Sequence, residues 1–225
     1  ALYIASVYGA TATVKLLIDN GAQVNTTSQS GYTPLVWAAQ QGFTEIVKLL
    51  IDNGADIPDS ALYRAAQKGK TAVVELLLNN GANVDAEQDE KSALMIAAYF
   101  NYEAIVTLLL ESGANVDASN IYGQTALIYA VYSGRKIGIT EKLLSYGADV
   151  NKQTQRGWTA LMDAARYKNK KDIVLLLLDY GADTTLTNNS GMTAEQLARR
   201  CGSTEIADII KEAGQFSFGL IPFPA

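Results

Sequence analysis

Apolar residues in the segment 31–57 recur at the spacing expected of two short helices. Ala38 and Ala39 lie three and four residues after Leu35, which places these three side chains on one narrow helix face. A wider apolar face follows over residues 46–51. The pattern predicts two antiparallel helices joined by a turn.

Residues with strong positional preferences mark the ends of both helices. Thr33 can cap the first helix. The proline after it fits the first turn, because a backbone N–H at that position would have no partner within the helix. Gly42 is expected to end that helix, because glycine adopts the left-handed conformation common at helix C-termini. Thr44 is the predicted cap of the second helix, and the Asn-Gly pair at 53–54 is its predicted end.

The same pattern returns along the chain. A Gly-Ala pair closes each second helix, with successive spacings of 33, 27, 32, 34 and 34 residues between Gly21, Gly54, Gly81, Gly113, Gly147 and Gly181. The start of the first helix returns as T-P-L-V-W-A from Thr33, S-A-L-M-I-A from Ser92, T-A-L-I-Y-A from Thr125, T-A-L-M-D-A from Thr159 and T-A-E-Q-L-A from Thr193. One helix pair cannot bury its own apolar face, so the copies are expected to stack.

These segments resemble the T-P-L-H-x-A motif of ankyrin repeats, and the period also agrees. The resemblance implies an all-α solenoid of stacked helix-turn-helix units with projecting β-hairpin loops. It covers residues 1–214 and predicts about seven repeats, at 1–25, 26–57, 58–84, 85–116, 117–150, 151–183 and 184–214, followed by an apolar tail at 215–225. The family's motif His, which ties neighbouring loops together, is replaced here by Val36, Met95, Ile128, Met162 or Gln196. The loop stack is therefore expected to depend more on apolar packing.

Three repeats depart from the pattern. The third keeps only two residues, at 58–59, between Ile57 and its first helix, which indicates either a tolerated deletion or a notch that admits a partner. The fourth has no turn glycine in its loop at 87–91, so that loop should differ in shape. The sixth carries a dense basic patch at 168–171 together with Arg166. We expect that patch to be solvated surface, and attraction of an acidic partner surface is the alternative.

The C-terminal end combines a polar last repeat with an apolar tail. Polar side chains replace the earlier Leu and Met in the last repeat, as expected of a terminal cap, at Glu195, Gln196, Arg199 and Arg200. The tail contains Phe216, Phe218 and Phe223. We expect it to fold back over the last repeat, and an extended ligand for a partner is the alternative.

Composition narrows the function classes. A net charge of −5 disfavours nonspecific binding to nucleic acid, no apolar run is long enough to cross a membrane, and the absence of histidine removes the commonest general base and metal ligand. No catalytic or phosphate-binding motif is found, so neither enzyme activity nor a cofactor or metal is expected. The single cysteine, Cys201, is compatible with a cytoplasmic location; secreted and periplasmic locations stay open.

Function is expected on the loop tips and just before the turn that ends each first helix, because the other positions hold the stack together. Tyr and Trp are favoured interface anchors. The residues predicted to bind a partner are Tyr32, Gln40, Gln41, Tyr99, Phe100, Tyr122, Tyr132, Trp158, Arg166 and Tyr167.

The sequence therefore predicts a non-enzymatic protein–protein interaction module that holds another protein, or an extended segment of one, in an aromatic-lined concave groove. Two alternatives are an inhibitor or immunity-type protein that occludes an enzyme, and a spacer segment of a longer ankyrin array. The first repeat lacks its leading loop, which favours a larger parent polypeptide.

Overall fold

The computed structural model describes residues 1–29, 31–134 and 137–216. Its backbone contacts divide the chain into two compact units, Ala1–Asn115 and Val116–Ala225. Each unit is built from helix pairs.

The described residues of the N-terminal unit form four helix pairs. Their bounds are α1 Leu2–Val7, α2 Thr11–Asp19, α3 Pro34–Gln41, α4 Thr44–Asp52, α5 Asp59–Gln67, α6 Thr71–Asn79, α7 Ala93–Phe100 and α8 Glu103–Glu111. Within this unit, each odd-numbered helix packs against the even-numbered helix that follows it. The successive contacts of α1, α3, α5 and α7 form one row, and those of α2, α4, α6 and α8 form a second row.

The described residues of the C-terminal unit repeat this plan. Their bounds are α9 Ala126–Ser133, α10 Ile137–Ser145, α11 Ala160–Ala165, a short 3-10 helix Lys168–Lys170, α12 Lys171–Asp179, α13 Ala194–Arg200 and α14 Thr204–Phe216. Helices α9, α11 and α13 form one row, and α10, α12 and α14 form the other. The predicted all-α stack of helix pairs is confirmed.

The two rows of helices bury apolar residues of different size. Ala38, Ala39 and the corresponding pair Ala65 and Ala66 are fully buried, which lets the odd-numbered helices approach closely. The even-numbered helices bury larger residues, such as Leu50. Burial of such a side chain stabilises the fold by about 1.5–3 kcal/mol.

The predicted caps of the first helices are present. Thr33 Oγ1 accepts a hydrogen bond from the backbone N–H of Val36. Equivalent bonds are made by Ser92, Thr125, Thr159 and Thr193. Each cap satisfies one donor that a helix N-terminus leaves without an intrahelical partner.

The predicted cap of the second helix is wrong. Thr44 is the first residue of α4, and Phe43, which occupies the cap position, makes no side-chain cap bond. Gly42 ends α3 in the left-handed conformation, with φ of 88°, and its carbonyl accepts a bond from the N–H of Thr44. This tight turn begins the next helix one residue earlier than the capping pattern predicts.

The loop without a turn glycine differs in shape from the others, as predicted. It forms a two-stranded antiparallel hairpin, β1 Glu87–Gln88 and β2 Lys91–Ser92. Asp89 and Glu90 both have positive φ, 51° and 61°. Two left-handed residues in sequence suit the right-handed twist of a tight hairpin, whereas the loop tip at Gly157 uses a single glycine with φ of 73°.

Side-chain amides form hydrogen bonds that join successive loops. That the loop stack depends more on apolar packing, because the motif His is replaced, stays a prediction. Asn25 Oδ1 accepts from the N–H of Asp56 at 2.9 Å. In the C-terminal unit, Asn151 Oδ1 accepts from the N–H of Asp183 at 2.7 Å. Gln153 Nε2 also donates to the carbonyl of Thr187 at 3.0 Å. Carboxamides therefore join loops in this chain, which has no histidine.

Helix α14 continues through Gly214 to Phe216 and so includes the first two residues of the predicted tail. The predicted fold-back of Phe218 and Phe223 falls on residues 217–225, outside the described residues. Within the described residues, no helix has the length and apolar character needed to cross a membrane.

Candidate functional site

An open cavity of about 550 Å³ lies in the C-terminal unit, and we name it the aromatic cleft. Helices α9 and α11 and the loops that precede them supply its walls. The lining residues are Tyr122, Gln124, Ile128, Tyr132, Thr154, Gln155, Arg156, Trp158, Asp163 and Arg166. Its volume is in the range of protein ligand pockets.

Four of the predicted binding residues meet in this cleft, namely Tyr122, Tyr132, Trp158 and Arg166. Residues Tyr122 and Tyr132 are 57% and 56% exposed. Such exposure leaves a large aromatic area available to a partner. Tyr167 is not among the lining residues, but its ring centroid lies 5.6 Å from the guanidinium carbon of Arg166.

Backbone hydrogen bonds fix the loop that carries Trp158. The N–H of Trp158 donates to Thr154 Oγ1 at 3.0 Å, and the N–H of Gln155 donates to the carbonyl of Tyr122 at 2.9 Å. A Cβ at Gly157 would lie 2.9 Å from Cα of Asn188, so a side chain there would push the two loops apart. The aromatic wall is therefore held in place before any partner arrives.

Arg166 joins the aromatic and the charged parts of the cleft. Its guanidinium carbon lies 5.1 Å from the centroid of the Trp158 ring, in the range of a cation–π contact. One of its nitrogens lies 3.6 Å from a carboxylate oxygen of Asp163. Because 39% of the Arg166 side chain stays exposed, it can still contact a partner.

Asp163 is a charged residue of the cleft that was not among the predicted binding residues. Its side chain is only 15% exposed. Burial raises its pKa, and the positive charges of Lys170 and Arg166 oppose that rise. The sequence signal for this residue was its place in the motif T-A-L-M-D-A. Two other repeats carry the apolar residues Trp37 and Ile96 at the same motif position.

Lys170 shows that the predicted basic patch is not wholly solvated surface. Its side chain is buried, with 6% of the residue exposed. The ammonium donates to the carbonyls of Val131 and Tyr132, at 2.7 and 3.3 Å, at the C-terminal end of α9. Burial lowers the pKa of Lys170, and the carboxylate of Asp163 acts in the opposite direction. In the same patch, Lys168 stays exposed.

The remaining predicted residues belong to the N-terminal unit and do not line this cleft. The hydroxyl of Tyr32 accepts a bond from Arg64 at 2.7 Å, and its ring packs edge-on against Trp37. Tyr99 and Phe100 contact each other, with ring centroids 5.1 Å apart. Gln40 is half-buried and Gln41 is exposed, both at the end of α3.

Comparisons with known proteins agree with this architecture. A family model described as ankyrin repeats (3 copies) matches residues 1–61, 62–154 and 127–217. The crystal structure of the human ASB11 ankyrin repeat domain superposes with a TM-score of 0.83 at 28% sequence identity, covering 93% of this chain and 97% of that one. The comparison with curated proteins gave no match.

Ankyrin repeats are generally protein–protein interaction modules, and their fold is typically a non-enzymatic binding scaffold. The family model extends over nearly the whole described chain. The predicted membership of this family is thereby confirmed. The chain belongs to the ankyrin repeat family.

Proposed function

We propose that this chain is a non-enzymatic binding module whose aromatic cleft holds an extended segment of a partner protein. The observation that carries the proposal is the convergence of Tyr122, Tyr132, Trp158 and Arg166 on one open cavity. Residues of these types dominate measured interface energies when a partner buries them.

The geometry keeps the cost of binding low. The loop bonds to Thr154 and Tyr122 already hold Trp158 and Gln155 in position, so little backbone freedom is lost on association. Stacking on Trp158 likewise restricts Arg166. A pre-ordered surface keeps more of its contact energy as affinity.

The polar groups of the cleft favour binding over catalysis. The hydroxyl of Thr154 accepts a hydrogen bond from the N–H of Trp158, and the shielded carboxylate of Asp163 lies beside Arg166. Neither group is presented as a free base next to a nucleophile, which acid–base and covalent catalysis both require.

A peptide-display selection on the whole immobilised chain tests this proposal. Binding of a selected peptide would then be measured by calorimetry for wild type, Tyr132→Ala, Tyr122→Ala and the control Tyr180→Ala. Tyr180 is a 43% exposed tyrosine that follows α12 in the same unit and does not line the cleft.

Each cleft variant should weaken binding by about 1–3 kcal/mol, as interface anchors do, and the control should bind like wild type. Circular dichroism of each variant checks that the fold is retained. Equal loss in Tyr180→Ala, or full affinity in both cleft variants, would place the binding surface elsewhere.

A further inference from the structure

Charged residues in the C-terminal unit are sorted between its two rows of helices. The odd-numbered helices, with the loops before and after them, span residues 119–134, 151–170 and 187–202. These ranges contain seven cations, Lys152, Arg156, Arg166, Lys168, Lys170, Arg199 and Arg200, and two acids, Asp163 and Glu195. The cleft therefore belongs to the basic part of a chain whose net charge is −5.

The remainder of the same unit is acidic. Eight acids and three cations occupy residues 137–150, 171–186 and 203–216, which contain the even-numbered helices and their closing turns. The matching ranges of the N-terminal unit, 26–42, 58–70 and 86–101, hold four acids and four cations. The excess of positive charge is thus specific to the odd-numbered helices and loops of the C-terminal unit.

Two cations in the cleft can still bind an anion. Arg156 is exposed, and its side chain has no ion pair or hydrogen bond among the described residues. Arg166 has one 3.6 Å contact with Asp163, which leaves most of its five N–H donors unused. Lys170, by contrast, is engaged with two carbonyls and contributes only its charge.

We propose that the partner segment is acidic, with Asp or Glu side chains that pair with Arg156 and Arg166 beside an apolar residue that packs on Tyr132 and Trp158. This inference rests on the proposed function and specifies its ligand. Arginine offers a carboxylate two parallel N–H donors in a fixed geometry. A short acidic segment needs only these two cations, whereas a polynucleotide carries a phosphate at every residue and would meet the chain's net charge of −5 along its length.

A charge-swap experiment on the whole chain tests the proposal. Peptides selected on wild type are sequenced, and the strongest binder is remade with its acids replaced by lysine. Both peptides are titrated against wild type, Arg156→Glu and the control Lys211→Glu. Lys211 is an exposed lysine of α14, in the acidic part of the same unit.

Selected peptides should be enriched in Asp and Glu next to Leu, Phe or Trp. Arg156→Glu should weaken the acidic peptide about five- to tenfold and strengthen the lysine peptide, and Lys211→Glu should change neither appreciably. Affinity of wild type for the acidic peptide should fall as NaCl rises from about 0.05 to about 0.5 M.

The other outcomes separate the two proposals. Neutral or basic selected peptides whose affinity falls in Tyr132→Ala would refute the acidic partner and leave the proposed function standing. Failure to select any peptide would contradict both. Tighter binding of a single-stranded oligonucleotide than of any acidic peptide, lost in Arg156→Glu, would show that the cleft recognises nucleic acid instead.

Discussion

Replacement of Lys170 by methionine removes the buried ammonium while keeping a stem of similar length. The change leaves the carbonyls of Val131 and Tyr132, formerly at 2.7 and 3.3 Å, without that donor. It also removes a positive charge that opposes the raised pKa of the shielded Asp163.

A hydrogen bond from a charged donor contributes about 1.5–3 kcal/mol, and the longer of the two bonds contributes less. Methionine avoids the desolvation cost of the lysine, which offsets part of the loss. We expect Lys170→Met to lower the free energy of unfolding by about 2 kcal/mol.

Lys70→Met is the matched control, because Lys70 occupies the equivalent place in the N-terminal unit. The side chain of Lys70 passes over Gly42, and the side chain of Lys170 passes over Gly134. A Cβ added to Gly42 would lie 2.8 Å from a side-chain carbon of Lys70, and one added to Gly134 would lie 2.7 Å from a side-chain carbon of Lys170. The Lys70 ammonium has no hydrogen-bond partner among the described residues, so we expect a loss below about 0.5 kcal/mol.

Urea titrations followed by circular dichroism and fluorescence give both free energies of unfolding. An equal or smaller loss for Lys170→Met than for Lys70→Met would show that the Lys170 ammonium is solvated. The charged contact between α9 and the 3-10 helix would then contribute nothing to stability.

Two further predictions concern the cap of α11 and the carboxyl group of Asp163. Thr159→Ala should lower the free energy of unfolding by about 1 kcal/mol, because it removes the cap of α11. Thr44→Ala should lower it by less, because Thr44 does not cap a helix. Urea titration measures both changes. Burial raises the pKa of Asp163 in the folded state. The contribution of this carboxyl group to stability is therefore fully present when the pH is below its ordinary pKa of 3.8, and it is lost as the pH rises through the folded-state pKa. The stability of wild type relative to Asp163→Asn should therefore decrease with rising pH across that window, and an unchanged difference in urea titrations would show that this carboxyl is solvated.

Local rules predicted the features that depend on a few neighbouring residues. The caps at Thr33 and Thr159 follow from the motif at each helix start, because the cap bond joins residues only three apart. Alignment of the repeats likewise predicted Tyr132 and Trp158 as interface residues, and the structure places both in one cleft. Whether a partner binds them stays a prediction.

The features that were missed depend on residues far apart in sequence. Lys170 is buried because carbonyls 39 and 38 residues earlier, at Val131 and Tyr132, lie within reach of its ammonium, and no local pattern encodes that distance. Thr44 satisfies the capping pattern, yet the preceding turn at Gly42 starts the helix first. The loop bonds of Asn151 join consecutive repeats, and they form only once those repeats have stacked.

The exchange rates of backbone amides, measured with and without a selected peptide, show whether the aromatic cleft is the binding surface. Helical amides already exchange slowly, so the change should appear in the two loops of the cleft, at residues 120–124 and 154–158. We expect slower exchange there and unchanged exchange in α12 and α14. Protection confined to the even-numbered helices or to the N-terminal unit, with these loops unaffected, would contradict this expectation.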